Sequence, residues 1–160
     1  MSDTKLGSGD LKAQQSKFGE PTDARAYLGV AEQMDAAVNI LCDAWPVREW
    51  AIALLVAHGC ECAFKAFLSR RAVNKRITAP DIRHNLCALL EMCVADGLVV
   101  ERVAPQWLAQ LSEMHDSPYT LRYSTGVHAI TTPPAGTMRQ EFHQLIGIVQ
   151  RAIQSEELSR

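Results

Sequence analysis

Apolar side chains recur every three or four residues over most of the chain, the spacing that lays a stripe along one face of a helix. From about Ala24 to Ala44 the stripe is Tyr27, Val30, Met34, Val38 and Leu41. Asp23 suits the N-cap, because its carboxylate can accept from the free backbone N–H groups of the first turn. Pro46 stops the helix. A second helix is predicted from about Val47 to Arg71. Ile52, Leu54, Leu55 and Val56 make it apolar nearly all round, as in a helix buried on several sides, and Phe64, Phe67 and Leu68 continue its core face. Gly59 costs helix propensity there, which predicts close packing against a neighbour. A third helix opens at Thr78-Ala79-Pro80-Asp81, a capping box with an early proline. It carries Ile82, Leu86, Leu89, Leu90 and Cys93 inward and stops at Gly97. A fourth, short helix spans about Pro105 to Met114, with Trp107, Leu108 and Leu111. A fifth runs from about Gly136 to Glu157, with Met138, Phe142, Leu145, Ile146, Val149 and Ile153 facing inward.

Strand signals are nearly absent. Gly97-Leu98-Val99-Val100 is one short candidate, too isolated to make a sheet. The expected fold class is therefore all-α: an up-and-down helical bundle of about five helices in one domain over residues 21–160. Residues 1–20, rich in Gly, Ser, Lys and Asp, have little to bury and are expected to be a flexible arm. Asp116 to Pro134 is a connection without clear periodicity, and one that long in a compact domain is often functional.

Composition narrows the class without naming a chemistry. The chain has 160 residues, 48% apolar and 21% charged, enough for one sizeable core. A formal net charge of -2 means that any nucleic-acid binding must come from a local patch. Met1-Ser2-Asp3-Thr4-Lys5 leads into no apolar signal stretch, and the run Trp50 to His58 is about half of a membrane span. The expectation is a cytoplasmic protein with no membrane segment. The five cysteines, Cys42, Cys60, Cys62, Cys87 and Cys93, all lie in apolar helical surroundings. Their odd number favours reduced, buried thiols over a disulfide frame.

Several chemistries can be set aside. Gly7-Ser8-Gly9 lies in the arm and opens no strand–helix phosphate loop. No nucleophile elbow exists. His115-Asp116 has the form of a metal-dependent phosphohydrolase ligand pair, but no aspartate follows Asp116. His58 with Cys62, and His84 with Cys87, could share helix faces and hold a zinc between two helices. Packed thiols beside partly exposed histidines account for the same residues, so neither a metal nor another cofactor is expected.

Two features remain. Lys65, Arg70, Arg71, Lys75, Arg76 and Arg83 fall within nineteen residues. Of these, Arg70, Arg71, Lys75 and Arg76 form a candidate RNA-binding group, with a solvated loop at a helix C-terminus as the competing reading. In the long connection, Tyr119-Thr120-Leu121-Arg122-Tyr123-Ser124-Thr125-Gly126-Val127-His128 combines Arg, Tyr, Ser and His. Arg122 can hold a phosphate and His128 can assist attack by a ribose 2′-hydroxyl, which together would cleave RNA without a metal, and Tyr123 would add an RNA contact. The alternative is a loop that Arg122 anchors to helix carbonyls or a carboxylate, with Tyr123 packed beneath it.

Taken together these segments resemble the HEPN family of small helical domains. Glu61-Cys62-Ala63-Phe64-Lys65-Ala66-Phe67-Leu68 is similar to that family's long second helix with its central lysine. His84-Asn85-Leu86, with Leu89, Leu90 and Ala95-Asp96-Gly97-Leu98, is similar to its His-x-Leu helix and exit. Leu121-Arg122-Tyr123 resembles the Arg-Tyr element before its last helix. The likeness covers roughly residues 25–155. It implies a homodimeric bundle, and in many members a metal-independent endoribonuclease of a toxin–antitoxin or defence system, paired with a cognate antitoxin. The family signature is an Arg, four to six residues, then a His, which Arg122 and His128 match. Tyr123 departs from the polar residue that often follows the Arg, and Gly126 and Pro133-Pro134 depart from a rigid helical setting. Other members have no nuclease activity and serve as modules that bind a nucleotide or a partner protein.

Overall fold

The computed structural model describes residues 23–72, 74–100, 103–116, 119–123 and 131–159. The expected arm over residues 1–20, and His128, lie outside the described residues. Five α-helices follow in order: α1 (Asp23–Asp43), α2 (Glu49–Leu68), α3 (Leu86–Ala95), α4 (Gln106–His115) and α5 (Ala135–Leu158), with a 3₁₀ turn at Lys75–Thr78 between α2 and α3. Among the described residues there is no strand, and the fold is an all-helical bundle.

Helix α2 is the hub. It packs against each of the other four helices, with α1 and α5 on one side and α3 and α4 on the other. That surrounding explains its composition, because a helix covered from several directions has no polar face to keep. It is long and apolar enough to cross a membrane, yet most of it is buried inside the protein. Gly59 makes the approach of α5 possible: a Cβ there would overlap the fully buried Phe142 ring.

Helix α5 buries the six residues expected of it, from Met138 to Ile153. Helix α1 is rotated relative to expectation. Its buried line is Ala24, Leu28, Ala31, Asp35 and Val38, whereas Val30 is exposed and Tyr27, Met34 and Leu41 only flank the core. The small Ala24 and Ala31 let α1 lie close on α2, and closeness outweighs the larger side chains on the neighbouring face. Buried Asp35 answers His143 of α5 at 2.7 Å.

Helix α3 departs most from the sequence reading. The capping box at Thr78 starts no α-helix. Ala79 is extended, as a residue before proline tends to be, and residues 80–84 form turns. The helix begins after Asn85, whose side chain accepts from the backbone N–H of Ala88. Its end follows expectation. Gly97 has a positive φ of 95°, the Leu98 N–H bonds to the Cys93 carbonyl and the Gly97 N–H to that of Val94. These two bonds form a Schellman cap, closed by buried Leu98. All five cysteines are free thiols, with Cys60, Cys62 and Cys93 buried.

Candidate functional site

A charged pair stands in the C-terminal half of the apolar hub helix α2. Glu61 and Lys65 lie one turn apart on α2, both nearly fully buried, with Lys65 Nζ 2.6 Å from Glu61 Oε1. Burying a carboxylate is costly unless donors surround it, and here they come from four parts of the chain. His115, at the end of α4 and wholly buried, places Nε2 2.7 Å from Glu61 Oε2. His84, in the turn before α3, places Nδ1 3.0 Å from the same oxygen. His58, one turn earlier on α2, stands 3.8 Å away, within ion-pair range but too long for a hydrogen bond. Arg122, in the turn after α4, has Nη2 at 3.9 Å.

Local structure sets each of these positions. The Asn85 cap fixes the turn that carries His84, and Asn85 Oδ1 lies 3.4 Å from Ser112 Oγ, which joins the start of α3 to the helix bearing His115. The segment Tyr119–Tyr123 is held to the core by buried Leu121, by the Trp50 indole donating to the Leu121 carbonyl at 3.2 Å, and by the Leu121 N–H on the Met114 carbonyl. Tyr119 has a φ of 60°, a left-handed conformation that a bulky side chain adopts only where its surroundings impose it. In that conformation the Tyr119 ring meets His84 edge-on, with centroids 5.5 Å apart, and Arg122 lies 5.9 Å from its centroid. Tyr123 packs on Tyr119 at 6.5 Å and is 64% exposed.

The electrostatics follow. Burial pushes the Glu61 carboxyl up, but the neighbouring His115, His58, Lys65 and His84 outweigh it and hold it well below the usual carboxylate range. The Cys62 sulfur and then the Glu61 carboxylate hold a proton on His58, whose pKa is pushed up to about 9. Burial lowers His115, against the pull of Glu61. A neutral His115 must donate through Nε2, since the carboxylate only accepts, and its buried Nδ1 has no partner.

Ligand atoms of His58, Glu61 and His115 lie within 4.8 Å of one another, a set able to approach one metal ion. It differs from the set expected from spacing: Cys62 instead lies 4.0 Å from His58. Two features oppose a metal. Lys65 already occupies the carboxylate, and ligation through His115 Nε2 would move its proton to Nδ1, where it meets no acceptor.

The sequence-predicted residues separate. Arg122 and Tyr123 sit at the rim of this cluster, and His128 lies outside the described residues. Tyr123 is not packed beneath the loop. Arg70 is buried, stacked on Phe67 and bonded to the Phe67 carbonyl and to Asp96. Arg71 pairs with Glu156 and Asp96. With exposed Arg76 it lines an open groove that also holds Glu91 and Asp96. Lys75 begins the 3₁₀ turn nearby. This group is of mixed charge. A cleft of about 390 Å³ lined by Leu90, Trp107, Leu108 and Ile148 shares no residue with the cluster.

The buried Glu61–Lys65 pair and its histidines were not anticipated as a site. The signal was present: an acid and a base four residues apart in a helix that is otherwise apolar all round belong to the interior, and interior charges need partners. Compared with family models, with characterised proteins and with solved structures, the chain matches none.

Proposed function

We propose that this is a HEPN-like domain that binds or cleaves RNA at the rim of the Glu61 cluster, with Arg122 as its phosphate-holding residue. The observation that carries the reading is the state of Arg122. Its side chain is about one-third exposed, makes no hydrogen bond among the described residues, and lies near the Tyr119 ring and a buried carboxylate. A guanidinium oriented in this way can accept a phosphate in its fork, and exposed Tyr123 offers a face on which a base can stack. The family resemblance adds His128 as the catalytic partner of Arg122, a homodimer and a cognate antitoxin. The second reading, a non-catalytic module for a nucleotide or a partner protein, draws on the Arg122–Glu61 approach, which would then only anchor the loop.

Fluorescence anisotropy with a labelled single-stranded RNA separates the two. Arg122→Ala is expected to weaken binding about tenfold, from one charge-assisted hydrogen bond, and Tyr123→Ala by a similar factor from one stacked base. Arg76→Ala should change binding only through its charge and so lose its effect at high salt. RNA affinity unchanged by Arg122→Ala and Tyr123→Ala would turn the assignment to the second reading.

A further inference from the structure

Helix α2 divides the bundle. Helices α3 and α4 pack on it and on each other, α5 packs on it from the other side, and α5 scarcely touches α3 or α4. The gap between the two sides is the cleft of about 390 Å³. Its lining includes Phe64 of α2, Leu90 and Leu108 on the α3–α4 bank, and Leu145 on the α5 bank. All four belong to the core and are less than a tenth exposed, so close packing behind them keeps the furrow from collapsing. Half-buried Trp107 and Ile148 extend the two banks. A single charged side chain lines this space. Glu141 of α5 is half-buried and makes no hydrogen bond or ion pair among the described residues, and no Lys, Arg or His lines the cleft. Small-molecule sites occupy about 300–1,000 Å³ and combine apolar walls with a few polar groups, and they form between the helices of bundles. The furrow has that size and composition, and its one charge is negative.

We propose that this cleft binds a small organic ammonium, a molecule whose aromatic or branched aliphatic body fills the furrow over Phe64 and whose protonated amine pairs with Glu141. Charge selects this class over the others. An anion would meet Glu141 with no cation to offset it. A neutral apolar molecule would cover the carboxylate and leave it unpaired, and taking an unpaired carboxylate out of water is costly. An ammonium replaces the lost water with an ion pair. Gln144, three residues after Glu141 and so on the same face of α5, also lines the cleft and can accept from a second N–H of the amine. Trp107 adds an aromatic wall, which attracts an ammonium more than a neutral group of the same shape. A straight aliphatic polyamine has little to place against Phe64, Leu90 and Leu108. The cleft shares no residue with the Glu61 cluster, so the proposal is independent of the RNA reading.

The test is an NMR titration of the isotope-labelled full chain with phenethylamine, phenethyl alcohol and phenylacetate near neutral pH. The three probes share a phenyl ring and a short arm and differ in charge. Phenethylamine is expected to shift the methyl signals of Leu90, Leu108, Leu145 and Ile148 and to bind about tenfold tighter than the alcohol, with phenylacetate weakest. Glu141→Gln removes a half-buried carboxylate that has no partner, so the fold should be unchanged. It is expected to cut the preference for the amine to about threefold or less and to leave the affinity for the alcohol no lower. Ile148→Trp, which fills the furrow, should abolish the shifts from all three probes. No shift at these residues with millimolar phenethylamine overturns the proposal. So does equal binding of amine and alcohol that Glu141→Gln leaves unchanged, which would make the furrow an uncharged slot of the kind that takes an apolar side chain of a partner protein.

Discussion

Replacing Glu61 by Gln should cost the fold about 3–5 kcal/mol, read as a lower urea midpoint, because it leaves the buried Lys65 ammonium without its anion. The amide also points an N–H₂ group into a shell made of donors. The double variant Glu61→Leu with Lys65→Met should be more stable than Glu61→Leu alone, since it removes the stranded charge with its partner. The cluster also sets a pH window. Glu61 is depressed in the folded protein, so its contribution is present above the ordinary carboxylate range and is lost as the pH falls through that range. His115 is held neutral by burial, so stability also falls below pH 6.5, where the unfolded chain takes up a proton that the folded one resists. His58 works in the opposite direction. Its contribution is complete below 6.5 and is lost as the pH rises towards about 9. Wild type should therefore be most stable near neutrality, and Glu61→Gln should show a flatter profile. A variant as stable as wild type, with the same profile, would mean that Glu61 does not organise this core.

The second large effect is expected at Gly59→Ala. The added methyl overlaps the Phe142 ring, which is caged between α2 and α5 with no exposed side to move into. Overpacking of this kind costs about 1–3 kcal/mol or more, and the gain in helix propensity returns at most about 1 kcal/mol. A net loss of about 2 kcal/mol follows, and Phe142→Leu in the same chain should recover part of it. Thermal unfolding of the two variants checks this, and an alanine variant as stable as wild type would contradict the packing of α5 on α2.

Most of the fold was legible because four of the five helices state themselves twice, by periodicity and by their ends. Helix α5 shows this best: Met138, Phe142, Leu145, Ile146, Val149 and Ile153 repeat at helical spacing and are all buried. Helix α1 shows the limit. Periodicity gives the helix but not its rotation when two apolar faces compete, and Ala24 with Ala31 took precedence over Val30 through close approach. The start of α3 was misplaced because two capping signals lie seven residues apart, at Thr78 and Asn85, and the proline after Ala79 favours an extended residue where a helix would begin. The irregular turn left in its place is the one that aims His84 at Glu61.

The site was legible only in pieces. Arg122 and Tyr123 stood out because Arg and Tyr are conspicuous in a long connection. Glu61, His84 and His115 come from three separate parts of the chain, and only the packing of α2 against α4 and the α3 turn brings both histidines within hydrogen-bond reach of Glu61. The density of Arg70 to Arg76 pointed elsewhere, because a count of cations does not show that Arg70 and Arg71 are committed to Asp96 and Glu156.

The most direct measurement is an NMR titration of the isotope-labelled protein with single-stranded RNA, followed at the backbone amides and histidine rings. Shifts concentrated at Tyr119 to Tyr123, His84 and His115 are the predicted result. Shifts confined to Arg71–Arg76, or none at saturating RNA, would contradict the placement of an RNA site at the Glu61 cluster.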